Sequence, residues 1–170
     1  MDSRRERGRR AGLAVRIVAV GKMKEKGYLL QAQEYMTRLT RYCKLEQVEI
    51  DDERDPGADS PALARRAMDA EAERILARIT PRDYVVALCV EGERPDTEAF
   101  AALVSSLHDR PGDAVFVIGG SLGLGEAVLA RADRRLSLSN LTFPHQLARV
   151  VLLEQLYRAY KIRAKERYHK

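Results

Sequence analysis

The spacing of apolar and polar positions changes repeatedly along the chain, and each change marks an element. Val15-Arg-Ile-Val-Ala-Val20 reads as a first strand, stopped by Gly21. From about Gly27 to Cys43 apolar residues recur at Leu29, Ala32, Met36, Leu39 and Cys43, the alternating steps of three and four of an amphipathic helix. Val48 and Ile50 mark a second, shorter strand, followed by an acidic loop from Asp51 to Ser60. Ser60-Pro61 opens the next helix as cap and first-turn proline, with an apolar stripe from Ala64 to Ile79.

Tyr84 to Val90 is a continuous apolar run, the signature of a parallel strand covered on both faces. A turn over Glu91 to Asp96 leads to a helix from Thr97 to His108 and a further buried strand from Ala114 to Ile118. After a glycine loop come a short helix, Glu126 to Ala132, and a last strand at Leu136 and Leu138. A long final helix runs from Pro144 to about Arg163. Strands alternate with helices throughout, so the fold class is α/β, a mostly parallel sheet with helices on both faces. At 170 residues the length implies one domain, here 15–170, preceded by a basic extension over residues 1–14 whose first dozen residues read as disordered. The final helix is apolar well beyond one stripe, which points to burial against a second subunit.

Composition narrows the setting. A hydrophobic fraction of 45% with 32% charged residues describes a soluble globular protein. No apolar run approaches the ~20 residues of a membrane span, and the N-terminus lacks a secretory cleavage pattern. Cys43 and Cys89 are isolated and suit a reducing cytoplasm, and three scattered histidines give no metal-ligand pattern. The formal charge of +5 is concentrated at the ends. Arg4, Arg5, Arg7, Arg9 and Arg10 lie in the first fourteen residues; Arg149, Arg158, Lys161, Arg163, Lys165, Arg167 and Lys170 lie beyond His145. Basic clusters of this kind attract polyanions, nucleic acid above all, and they also occur as plain solvated surface.

Candidate chemistry concentrates in the last third. The loop after the 114–118 strand, Gly119-Gly-Ser-Leu-Gly-Leu-Gly125, is not a phosphate-binding loop, because Glu126 and Ala127 stand where Lys and Ser or Thr belong. It is not a dinucleotide fingerprint either, since the third glycine after Gly123-Leu-Gly125 would fall on Val128. A flexible, donor-rich loop remains. With Leu138 to Phe143, it is expected at the carboxyl ends of two neighbouring strands, where open α/β sheets bind ligands.

Four segments resemble one family: AVGKMKEK at 19–26, FVIGGSLGL at 116–124, SLSNLTFPHQLARVVLLEQLYRAYKI at 137–162, and the terminal YHK. They are similar to the RlmH group of bacterial SPOUT methyltransferases, which act on large-subunit ribosomal RNA. The resemblance covers 15–170 and leaves out 1–14. It implies S-adenosylmethionine as cofactor, methylation of N3 of a pseudouridine in the helix 69 loop, a homodimer, and a trefoil knot in the C-terminal half. It places the cofactor on Leu88, Gly119, Leu138, Ser139, Asn140, Leu141, Thr142 and Phe143. His169, Tyr168 and Arg149 become candidates for RNA positioning or proton handling, with Arg149 suited to a phosphate or a deprotonated ring. Glu154 reads as a structural partner for Arg149 or Arg158, and His145 as a first-turn helix residue beside the loop. A cofactor-free ribosome assembly factor on the same fold, or a small-molecule methyltransferase, are the other classes that fit.

Overall fold

A computed structural model describes residues 13–168. The expectations placed on 1–12, on His169 and on Lys170 lie outside those residues. The elements are β1 (Ala14–Val20), α1 (Lys26–Leu39), β2 (Lys44–Ile50), α2 (Pro61–Leu76) and β3 (Tyr84–Glu93), then α3 (Thr97–Leu107), β4 (Ala114–Ile118), α4 (Glu126–Arg131), β5 (Arg134–Leu136) and α5 (His145–Arg163). The five strands form one all-parallel sheet in the order β2-β1-β4-β3-β5.

The apolar runs follow from coverage of both faces. Ile17, Ala19, Val86, Phe116 and Ile118 point into a core closed by α1, α3 and α5. Their neighbours Val18, Val20, Val85, Ala87, Val115 and Val117 point the other way, into a core closed by α2 and α4. Successive side chains leave a strand on opposite sides, so a strand buried on both has no polar position to alternate.

Four expectations change. The glycine loop and the 138–143 loop do not follow neighbouring strands, because β3 lies between β4 and β5. β5 ends at Leu136, which leaves Leu138 in the loop. β3 runs on through the expected turn to Glu93, yet Val90 is 67% exposed. β4 pairs only as far as Leu88↔Ile118, and the β3–β5 register breaks between Leu88 and Glu93. At that break a Cβ on Gly92 would lie 2.3 Å from the Leu136 carbonyl carbon, so only glycine fits. Finally, Ser60 makes no side-chain capping bond, and α2 starts on Pro61 alone.

The breadth of apolar surface on α5 also has a nearer explanation than a second subunit. The helix packs against both α1 and α3, and Leu152, Leu153 and Leu156 are fully buried within one chain. Arg149, Ala159 and Tyr160 are buried with them.

Candidate functional site

The carboxyl ends of β4, β3 and β5 open onto one cleft of about 830 Å³. Leu88, Gly119, Leu138, Ser139, Asn140, Leu141, Thr142 and Phe143, the residues expected to hold a cofactor, all line it. Each wall is shaped locally. In the glycine loop Gly123 N–H donates to the Gly120 carbonyl at 3.1 Å, and Gly123 takes the left-handed φ of 82° that closes so tight a turn. A Cβ on Gly119 would sit 2.8 Å from the Gly123 carbonyl, so the loop folds back on itself at a position where no side chain is tolerated. Gly125 then starts α4 under α2, 3.0 Å from the Met68 carbonyl oxygen in the same sense.

The opposite wall is held by serine. Ser137 N–H donates to the Glu93 carbonyl at 2.8 Å, tying the loop to the far end of β3. The Ser137 hydroxyl donates to the Ser139 carbonyl at 2.9 Å, and the Leu141 N–H donates to Ser139 Oγ at 3.0 Å. This turn leaves Leu141 73% exposed at the rim. An apolar side chain displayed there costs solvation, and a ligand would relieve that cost.

The chain end of β3 contributes residues that the sequence pattern did not single out. Cys89, Val90 and Glu91 line the cleft along with Ile118, Leu122 and Leu124. Among the described residues Glu91 is the one acidic group on the lining, and no lysine or arginine lines it. The cleft therefore suits a ligand with a flat apolar part and no phosphate. Among the described residues there is no group of three or more His, Cys, Asp or Glu placed to hold a metal ion.

Arg149 does not join the cleft. It is 1% exposed, donates to Glu49 Oε1 at 3.0 Å and to the Gly21 carbonyl at 2.8 Å, and so ties α5 to β2 and to the end of β1. Burial pulls its pKa below the ordinary arginine value, and Glu49 opposes that shift. The Arg149 Nε is buried without a hydrogen-bond partner, so the guanidinium acts as a staple in this structure and offers no solvent-accessible edge to a phosphate. Glu154 pairs with Arg158 at 2.8 Å, not with Arg149.

Tyr168 lies apart from the cleft as well. Its ring meets Tyr157 edge-on at 5.0 Å, Arg158 covers one face at 4.5 Å, and its hydroxyl donates to Glu154 at 3.1 Å. One face of the ring is thus taken by a guanidinium. Burial, with Glu154 adding to it, pushes the Tyr168 pKa up to about 12, so the phenol keeps its proton at neutral pH. Those partners lie about ten residues along α5 from the cleft residues His145 and Ala148, roughly 15 Å at the helical rise. The basic tail is partly neutralised too, because Lys161 pairs with Glu166, whereas Arg163, Lys165 and Arg167 stay exposed. His145 opens α5 beside the loop, as expected, and lines the cleft.

Comparison with known proteins finds relatives over nearly the whole chain. A family model described as "Predicted SPOUT methyltransferase" matches residues 13–169. The chain is 47% identical over 157 residues to the ribosomal RNA large subunit methyltransferase H of Clostridioides difficile (strain 630), covering 92% of this chain and 99% of that protein. It is 49% identical over 158 residues to the protein of the same name from Listeria monocytogenes, again covering 92% and 99%. Among solved structures, a probable methyltransferase from Bordetella pertussis Tohama I superposes with a TM-score of 0.54 at 20% identity, covering 91% of this chain and 99% of that one. A probable methylase family protein from Haemophilus influenzae Rd KW20 gives 0.51 at 17% identity, covering 92% and 70%. These last two speak to the fold.

Proposed function

Because the chain belongs to the SPOUT methyltransferases, and within them to the ribosomal RNA large subunit methyltransferase H family, we propose that it transfers a methyl group from S-adenosylmethionine to large-subunit ribosomal RNA. The finer reading is methylation of N3 of a pseudouridine in the helix 69 loop, by a cytoplasmic homodimer whose C-terminal half carries the family's trefoil knot. The observation that carries the cofactor assignment is the charge of the cleft among the described residues: one carboxylate, no lysine or arginine, and an apolar slot between two backbone-rich loops. A phosphate-bearing cofactor would meet no cation there, whereas a sulfonium needs none. The fit to S-adenosylmethionine is good on those grounds. When bound, that cofactor supplies a methyl group on a positively charged sulfur.

The chain's own residues divide the remaining work. Leu88, Leu138, Leu141 and Phe143 can enclose an adenine, and the amides of the glycine loop and of 139–142 can pair with its edge and with a ribose. Glu91 can hold a cationic or hydroxylic part of the ligand. Direct displacement depends on alignment of donor and acceptor, so holding both rigidly accounts for much of the rate. The N3 proton must leave the ring, and a group that stabilises the resulting anion serves as well as a base.

Two measurements test the reading. Calorimetric titration with S-adenosylmethionine should show one site per chain, and its absence would favour a cofactor-free assembly factor. Labelled methyl should pass to ribosomes from a strain lacking the enzyme and not to bulk small metabolites. Binding without transfer to ribosomes would overturn the RNA assignment.

The dimer is expected on the outer face of α5, not on Leu153 or Tyr157, which pack within one chain. Leu147 and Val151, one turn apart, stay half-buried outside both core clusters. Light scattering at micromolar concentration should give twice the chain mass, and Val151→Glu should give the single mass. A folded, active monomer in the unaltered protein would rule the dimer out.

For the tail, removing residues 168–170 should leave S-adenosylmethionine affinity nearly intact, since Tyr168 lies far from the cleft. Methylation of ribosomes should fall at least ~10-fold, the effect of losing one contact of about 1.4 kcal/mol. His169→Ala separates two roles: a positioning defect is recovered at high ribosome concentration, and a proton-handling defect persists at saturation. Full activity in the truncated protein would place RNA recognition elsewhere.

A further inference from the structure

A second cavity, of about 730 Å³, stands beside the cofactor cleft on the same edge of the sheet. Its walls are Glu25, Gly27, Tyr28 and Gln31 from the start of α1, with Pro144, His145 and Gln146 from the start of α5. It lies past the end of β1, which neighbours β4 in the sheet, and it shares Pro144 and His145 with the cleft. The two cavities therefore adjoin at Pro144 and His145.

We propose that this second cavity holds the base of the acceptor nucleotide, stacked on Tyr28 and held at its carbonyl oxygens by the amide NH₂ groups of Gln31 and Gln146, with N3 left facing the cofactor cleft. This assignment rests on the RNA methyltransferase reading and adds the place where the acceptor sits.

The side chains match a planar heterocycle that has donors and acceptors in its plane. Tyr28 is half-buried with its body against the core, and one turn along the helix Gln31 stands on the same face, exposed. Gln146 is pre-oriented: its Oε1 accepts from the Lys24 and Glu25 N–H groups, each at 3.1 Å, so its NH₂ is the part left for a ligand. The same two bonds fix the loop that carries Glu25. Gly21, left-handed at φ 86°, keeps space beside His145, whose Nε2 would lie 3.8 Å from a Cβ at that position. A uracil-like ring carries a carbonyl on each side of N3, and the free NH₂ of Gln146 with the Gln31 amide can donate to those oxygens, as amide side chains do when they read base edges, while N3 itself stays unblocked. Stacking on one aromatic ring can contribute ~1–3 kcal/mol per base.

The test compares Gln31→Leu, Tyr28→Ala and Tyr28→Phe. Gln31 is exposed, so its variant folds, whereas Tyr28→Ala removes partly buried surface and is checked by melting temperature. All three should bind S-adenosylmethionine within about twofold of the parent chain. In methyl transfer to ribosomes, Gln31→Leu and Tyr28→Ala should lose at least ~10-fold in kcat/KM, and Tyr28→Phe should retain most of it, because the ring is kept. As a readout independent of turnover, uridine monophosphate at millimolar concentration should shift the Gln31 side-chain amide resonance in the cofactor-saturated protein. If folded Gln31→Leu and Tyr28→Ala both methylate ribosomes at the parent rate, the acceptor base is not in this cavity although the methyltransferase reading survives. If the parent chain itself fails to methylate ribosomes, that reading fails, and an unmoved Gln31 resonance then removes the nucleobase site as well.

Discussion

A Gly119→Val protein is expected to keep its fold and to bind S-adenosylmethionine at least ~100-fold more weakly, a loss of about 2.7 kcal/mol. The cause is the loop's own backbone. A Cβ on Gly119 would stand 2.8 Å from both the carbonyl carbon and oxygen of Gly123 and 3.1 Å from the Leu124 nitrogen. Neither neighbour is a flexible side-chain end that can swing aside, so the turn between Gly120 and Gly123 must open. The amides that face the cleft move with it. Strand β4 ends at Ile118 and its five residues remain fully packed, so circular dichroism and melting temperature should change little. Leu141→Ala offers a companion with no loop strain. That side chain is 73% exposed and contributes little to folding, so a several-fold affinity loss without any change in melting temperature would place the ligand against it. Unchanged affinity in a folded Gly119→Val protein would remove the cofactor from this cleft.

Much of the cleft was legible because its residues announce themselves as loops after strands. Gly119 follows an apolar run, and Leu138 to Phe143 precede the start of α5 in a stretch too polar to be core. The resemblance of 116–124 and 137–162 to a known family then joined the two. The end of β3 was not legible. Cys89 and Val90 continue an apolar run, so they read as buried strand until the sheet order shows that β4 has already stopped pairing at Ile118. Strand order itself leaves no local trace, and for that reason β4 and β5 looked like neighbours although β3 separates them. The breadth of α5 was read correctly as deep burial, and its cause, packing between α1 and α3 of one chain, depends on contacts that no local pattern encodes.

The largest gap between pattern and structure is Arg149. The family resemblance makes Arg149 a candidate for a phosphate or a deprotonated ring, and nothing local points to its partner Glu49, 100 residues away in the chain. The second large prediction follows from that pairing. Arg149→Met keeps the aliphatic stem and removes the guanidinium, leaving the Gly21 carbonyl buried without its donor and the exposed Glu49 without its cation. Leaving the Gly21 carbonyl unsatisfied costs about 2 kcal/mol, and the exposed Glu49, which regains water, adds little. For a chain of this size that is a fall of roughly 4–8 °C in melting temperature. Glu49→Gln should lose part of the same stability, and the double variant should lose clearly less than the two singles together, because both remove one interaction. A residue that instead clamped RNA phosphate would behave in the opposite way. Arg149→Met would then melt like the parent chain, and its ribosome affinity would show a salt slope smaller by about one. The staple also bears on the acceptor cavity, since Gly21 starts the loop that carries Glu25. In the folded Arg149→Met protein, activity should therefore fall through weaker ribosome engagement while S-adenosylmethionine affinity holds, because no atom of Arg149 lines the cofactor cleft.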